Sequence, residues 1–182
     1  MSEFKIHTVE TAPAESKAIL EGAVKQMGVV PNLFATMAES PNLLKAYTQL
    51  HELFAGTSFN AEELTVVWQT INVEHECHYC VPAHTAIAHS MKVDTAITEA
   101  LRNGTALPTA KLQALKDFTL SMVRDRGNVP AAQMEAFFAA GYGQQQVLEV
   151  ILGLSQKVIS NYVNHIAHTP VDPMFESFAW KK

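Results

Sequence analysis

Apolar residues recur every three or four positions along almost the whole chain, and no stretch alternates apolar with polar over the length of a strand. A period near 3.6 lines one face of a helix, so this pattern restricts the chain to helices packed on helices. The punctuation agrees. Residues 13–27 read as a first helix, with Pro13 at the start and Gly28 just past the end; Pro presets the first helical dihedral and Gly accepts the left-handed turn that ends a helix. A short turn at 32–38 follows, then a helix at 41–55 carrying Leu43, Leu44, Tyr47, Leu50 and Leu53 and stopped by Gly56. Asn60 with Glu63 three residues on has the pattern of a capping box, opening an apolar helix through Val66, Val67, Trp68 and Ile71. The motif segment 75–91 comes next, then helices at 94–103, 108–126 and 130–140. The last helix, 144–166, is apolar around most of its circumference and is expected at the centre, buried nearly all round. A Pro-punctuated tail at 169–182 carries Phe175, Phe178 and Trp180, which are expected to dock on the body.

A length of 182 residues suits one domain, taken here as residues 1–182, with residues 1–30 an N-terminal extension holding the first helix. Lys and Arg total 13 against 18 Asp and Glu, a net charge of −5 with no basic cluster. That balance argues against a nucleic-acid or anionic-membrane surface. Residues 1–16 carry acids and no apolar h-region, so they do not read as a signal peptide. No apolar run nears the ~20 residues that cross a bilayer. A cytoplasmic location is therefore expected.

The chain has two cysteines, Cys77 and Cys80, spaced C-x-x-C. In a reducing compartment a structural staple is not their expected use, and joining residues three apart closes too small a loop to constrain the unfolded chain much. On a helix, positions three and four apart share a face. Cys77 and Cys80 stand i, i+3 and Cys80 and His84 stand i, i+4, so all three can meet at one end of a helix beginning near the motif; Pro82 and the alanines after it suit such a start. A free thiol, with a pKa of about 8.5, is mostly protonated at neutral pH. A helix N-terminus and a nearby imidazole both lower that value, and the thiolate is the nucleophile. A thiolate to attack, a second thiol to resolve and a base to move the proton thus lie within one short segment. Two plainer readings stay open. The cysteines with His84 and either His75 or His78 could ligate zinc, although no second C-x-x-C completes a structural zinc pattern. They could also be buried structural thiols. Glu63 reads as a cap before a catalyst. His165 ends a stripe of Ile151, Ser155, Val158 and Tyr162; it reads first as a hydrogen-bonded core residue and second as a neighbour of the thiols.

The stretch Glu74-His-Glu-Cys-His-Tyr-Cys-Val-Pro-Ala-His84-Thr-Ala, with the apolar helix 66–73 before it, resembles the motif of the alkylhydroperoxidase AhpD-like, carboxymuconolactone decarboxylase-like superfamily. The segments Phe118 to Gly127, Ala139-Ala-Gly-Tyr142, Val147-Leu-Glu-Val-Ile-Leu-Gly153 and Ser160-Asn-Tyr-Val-Asn-His165 resemble its peroxidase-related branch, and so does the ending Ala167-His-Thr-Pro-Val-Asp-Pro with Phe178-Ala-Trp180. The resemblance covers nearly the whole chain from about Pro31.

That resemblance implies an all-α, AhpD-like multi-helix bundle assembled as a homo-oligomer. It implies a peroxidase of the peroxiredoxin type that reduces hydroperoxides with no cofactor or metal. Cys80 would be the cysteine oxidised by peroxide, Cys77 would resolve the sulfenic acid to a disulfide, and His84 would belong to the proton relay. A dithiol, or a thioredoxin-like or lipoyl electron donor, would restore the thiols. Decarboxylase members lack the cysteine pair, which speaks against lactone decarboxylation. Two positions depart from the pattern. The relay glutamate, twelve residues before the first cysteine, is replaced by Thr65, leaving Glu63 and Glu74 as substitutes, and Tyr79 stands where the best-known members have histidine. A disulfide reductase acting on a protein partner, and a redox-sensing protein without turnover, are the competing expectations.

Overall fold

A computed structural model describes residues 4–181, so that residues 1–3 and 182, the outer ends of the expected extension and tail, lie outside the described residues. The described residues form helices α1 (Ala14–Met27), α2 (Asn32–Met37), α3 (Pro41–Ala55), α4 (Ala61–Glu74), α5 (Cys80–Ser90), α6 (Thr95–Asn103), α7 (Ala110–Arg124), α8 (Ala131–Ala139) and α9 (Gln144–Ala167), followed by a 3-10 turn at Pro173–Phe178. The described residues include no strand. Gly28 closes α1 at φ 77°, a left-handed conformation that costs glycine nothing. Both bonds of the capping box open α4: the Asn60 side chain accepts from Glu63 N at 2.9 Å, and Glu63 accepts from Asn60 N at 3.1 Å.

The central helix is α4. Every residue from Glu63 to Asn72 is buried, and α5, α6, α7 and α9 all pack on it. On one side lies a dry core. Phe118 stacks on Phe137 at 4.1 Å between ring centroids, Phe137 stacks on Tyr142 at 4.6 Å, and aliphatic residues of α6 and α7 fill in around them.

Two expectations need correction. The last helix does pack against α3 and α4, but it is not buried nearly all round. Leu148, Ile151, Tyr162 and Ile166 face outward, while its buried stripe is Val150, Gly153, Gln156, Lys157, Ser160, Asn161 and Asn164. The inward face is thus largely polar, because it meets polar groups on its neighbours. Gly153 is required at the α3 crossing, where an added Cβ would stand 2.7 Å from the Phe54 ring. The second correction concerns Cys77. The motif helix starts at Cys80, close to Pro82 as expected, but Cys77 lies in the turn before it and not on the helix. Residues 75–79 finish α4 in a Schellman turn, with Glu76 left-handed at φ 52°, Glu76 N donating to Val73 O and Cys77 N to Asn72 O, each at 3.0 Å. The tail runs back across α5 and α6. Arg102 donates to the carbonyls of Phe178 and Ala179, and Trp180 donates its indole N–H to Arg102 O at 3.0 Å.

Candidate active site

The Schellman turn and the start of α5 together set the cysteines. Cys77 belongs to the turn, Cys80 is the first residue of the helix, and Cys80 N donates to Cys77 Sγ at 3.3 Å. Both are free thiols, and Cys80 is only 1 % exposed. The pair is 3.4 Å apart. From the inward stripe of α9, Asn164 donates its amide to Cys80 Sγ at 3.3 Å and, at a longer 3.9 Å, to Cys77 Sγ.

Charge distinguishes the two thiols. Burial alone would raise the Cys80 pKa, but a hydrogen bond from the Cys77 thiol, the positive charge of Lys157 and hydrogen bonds from Ser160 and Asn161 outweigh it. Cys80 is held well below the ordinary thiol range. Cys77 moves the opposite way, because it donates to Cys80, is buried, and faces the Cys80 charge. The pair is therefore a thiolate at Cys80 supported by a thiol at Cys77, the arrangement a nucleophile and its resolving partner need.

The positive charge has an unusual setting. Lys157 is 0 % exposed, and among the described residues no carboxylate lies within ion-pair distance of it. Its Nζ is 2.9 Å from His84 Nε2. An ammonium can only donate, so His84 accepts at Nε2 and carries its proton on Nδ1, a buried atom with no hydrogen-bond partner among the described residues. Burial, then the Lys157 and His51 charges, keep His84 well below the usual imidazole range. Burial and Lys157 likewise lower His51 to about 4. Trp68 lies between the two rings, 5.4 Å from His51 and 4.9 Å from His84.

Cys80, His84, Lys157 and His51 line a cavity of about 110 Å³ whose remaining walls are mostly apolar and aromatic, among them Phe34, Tyr47, Tyr79 and Phe175. A cavity of roughly 150 Å³ accepts benzene, so this one suits a molecule of a few heavy atoms. Tyr79 closes part of it; its hydroxyl donates to Asp172 of the tail and accepts from Leu33 N.

The other residues singled out from the sequence lie elsewhere. Glu63 stays at its cap, bound to Lys111 at 2.9 Å and accepting from Tyr142 at 3.1 Å. Glu74 pairs with Arg124 through two bonds of 2.7 and 2.8 Å. Thr65 is buried with its hydroxyl on Ala61 O. His165 is half-buried and outside the cavity lining, and its neighbour Asn164 reaches the sulfurs instead. The zinc alternative loses its histidines: His75 turns to Asn161, His78 to the Thr169 carbonyl and His84 to Lys157. Lys157, Asn164, Ser160, Asn161 and His51 were not legible as site residues. The available signal was a polar repeat at 156/157, 160/161 and 164, every three to four residues on one face of a helix.

No protein-family model matches the chain, and no curated protein matches it. Solved structures do. An alkylhydroperoxidase AhpD core, an uncharacterized peroxidase-related protein from Ralstonia eutropha JMP134, is similar at a TM-score of 0.84 and 18 % identity over 96 % of each chain. An uncharacterized peroxidase-related protein from Silicibacter sp. TM1040 is similar at 0.80 and 18 % identity, over 96 % of this chain and 95 % of that one. A variant of the debrominase Bmp8 in complex with 2,3,4-tribromopyrrole is similar at 0.80 and 14 % identity, over 97 % and 95 %. The fold is AhpD-like.

Proposed function

We propose that this protein is a thiol-dependent peroxidase that reduces small hydroperoxides through a Cys77/Cys80 dithiol–disulfide cycle. The observation that carries this reading is the geometry of the pair, two free cysteines 3.4 Å apart with Cys80 N donating to Cys77 Sγ and Asn164 donating to Cys80 Sγ beside the cavity, and the lowered pKa of Cys80 agrees with it. Cys80 attacks the peroxide and becomes a sulfenic acid, and Cys77 displaces water from it to form the disulfide. His84 serves the proton relay by holding Lys157 at the cavity wall. Burial of both sulfurs beside a cavity of about 110 Å³ favours a small oxidant over the disulfide of a folded protein partner. It favours a slender dithiol, such as a lipoyl arm, over a bulky donor for the return step, with a thioredoxin-like donor needing a local opening. The outward stripe of Leu148, Ile151, Tyr162 and Ile166 offers an apolar face for self-association, in keeping with a homo-oligomer.

A thiol count tests the activity. Two thiols per chain before, and none after, one equivalent of hydrogen peroxide, followed by repeated consumption once a dithiol is supplied, is the expected result. Loss of thiols without turnover under any dithiol would leave a redox sensor and remove the enzyme.

The similarity to the debrominase Bmp8 raises a second reading, reductive dehalogenation of a halogenated ring at the same thiolate, which would require the cavity of about 110 Å³ to widen. Bromide release from a brominated pyrrole under dithiol would distinguish it.

A further inference from the structure

Lys157 is a buried cation whose closest polar neighbour is a neutral imidazole. Leaving a charge unpaired in a protein interior is strongly destabilising, so buried charges are held with a partner. The groups on the elements packed around it are His84 of α5, His51 and Tyr47 of α3, and the cysteine turn. Burial and Lys157 keep both histidines uncharged near neutral pH, and burial, with the Cys80 charge, pushes the Tyr47 phenol up. The one negative charge left on the cavity wall is the Cys80 thiolate. Lys157 and Cys80 are therefore each other's counter-charge.

The proposed reaction, on which the following inference rests, destroys that thiolate. We infer that Lys157 is the general acid of the site, giving its proton to the oxygen that leaves the peroxide, while His84 positions it. Cys80 S⁻ attacks the distal oxygen of ROOH. An S–O bond forms, the O–O bond breaks, sulfur is oxidised by two electrons and the peroxide is reduced. The departing RO⁻ takes a proton from the Lys157 ammonium and leaves as ROH. Cys80 is then a neutral sulfenic acid and Lys157 a neutral amine, so both charges vanish together and neither is stranded in the cavity. In the next step Cys77 S–H attacks Cys80 S–OH, the S–O bond breaks, and the thiol proton leaves with hydroxide as water. Reduction of the disulfide by an external dithiol returns two protons to the cysteine thiols, and transfer of the Cys80 proton to the amine regenerates the ion pair.

His84 cannot fill this role in the geometry observed. Its Nε2 already accepts from Lys157, and its low basicity leaves it no second proton to give. Its part is to hold the ammonium at the cavity wall.

Two electrophiles separate the acid from the simple effect of charge on the thiol. Iodoacetamide and ethyl hydroperoxide consume the same thiolate, but iodide leaves without a proton, so the ratio of the two rates cancels the thiolate fraction. In Lys157→Met the ratio of the hydroperoxide rate to the iodoacetamide rate is expected to fall by about 10²-fold or more, within the ~10²–10⁴ range of general acid catalysis. Peroxyacetic acid, whose acetate leaving group needs no proton, should keep the wild-type ratio in the same variant. Lys157→Arg should recover alkylation through its charge yet keep the low ratio for ethyl hydroperoxide, since guanidinium does not give up its proton. An unchanged ratio in Lys157→Met overturns the assignment.

Should the variants not fold, the wild type decides. Its preference for peroxyacetic acid over ethyl hydroperoxide should be at least about tenfold smaller than that of dithiothreitol thiolate in solution, and an equal preference overturns the proposal. A wild type that is alkylated but consumes no hydroperoxide removes the peroxidase reading itself, and Lys157's role with it. Consumption with an unchanged ratio removes only the role of Lys157.

Discussion

The two sides of α4 are built on opposite principles. Towards α6, α7 and α8 the helix buries Val66, Val67 and Ile71 in a cluster of stacked rings and aliphatic side chains. Towards α5 and α9 it buries Gln69 and Asn72, which bond one another, Asn161, the Val81 carbonyl and Thr85. The dry side supplies stability through area removed from water and close packing. The wet side spends part of that stability to hold a thiolate, an ammonium and two neutral histidines out of solvent. A site of this kind needs the dry core beside it, because its own polar contacts net only about 1 kcal/mol each.

The comparison breaks most visibly at Phe118. Phe118→Ala removes one end of the ring stack from the middle of the dry core and is expected to cost about 3–5 kcal/mol, read as a lower urea midpoint, while the alkylation rate of Cys80 in the folded protein stays at the wild-type value. A drop in both would mean that the two sides are not separable. Asn164→Leu tests the wet side. It removes a donor to the Cys80 thiolate, worth about 1.5–3 kcal/mol for a bond to a charged group, so the pH profile of alkylation should shift upward by about one to two units. Stability should change far less, because the Asn164 carbonyl oxygen is itself buried without a partner among the described residues and its loss is a relief.

Acid sharpens the contrast through the two histidines. His51, at about 4, and His84 have folded-state pKa values below the ~6.5 of an unfolded imidazole. Between those values the unfolded chain binds more protons, so the stability present above pH 6.5 is lost as pH falls towards 4. Each histidine contributes a slope of up to about 1.4 kcal/mol per pH unit. Urea midpoints between pH 7 and pH 5 should fall accordingly, and His51→Phe should flatten the curve. A midpoint independent of pH over that range would mean that neither ring is held neutral.

What could be read from the sequence divides along the same line. The dry side announced itself: Leu112, Leu115, Phe118 and Met122 recur at helical spacing, and all are buried. The capping box at Asn60 and the glycine stop at Gly28 carry local rules that no tertiary contact overrides. The cysteine pair was legible because C-x-x-C is rare and chemically specific. The wet side misled. Ile151 and Tyr162 form an apolar stripe and so read as inward, yet they face out, and Lys157 and Asn164 lie inside. Polar residues are mostly exposed, so a stripe of them reads as surface until a second polar stripe is known to face it. Here that second stripe is Gln69 and Asn72 of α4, too short to announce itself. Glu76 hid the break before the helix, because a glutamate occupies the left-handed position where glycine would have signalled a stop.

The amides between α4 and α9 also act as an alignment gauge. Trp68 N–H meets the Gln156 carbonyl at 2.8 Å, and the Asn161 amide meets the Asn72 carbonyl at 3.1 Å. An interface made only of leucines would tolerate a slide of one turn, about 5.4 Å, with little change in buried area. Sliding α9 by four residues would set Leu152 or Ser160 opposite Trp68, and Lys157 or His165 opposite Asn72. At least one matched pair would break each time, at about 1–3 kcal/mol for every buried polar group left unpaired. The helix is therefore indexed to a single notch, and that notch brings Asn164 to the sulfurs and Lys157 to the cavity wall.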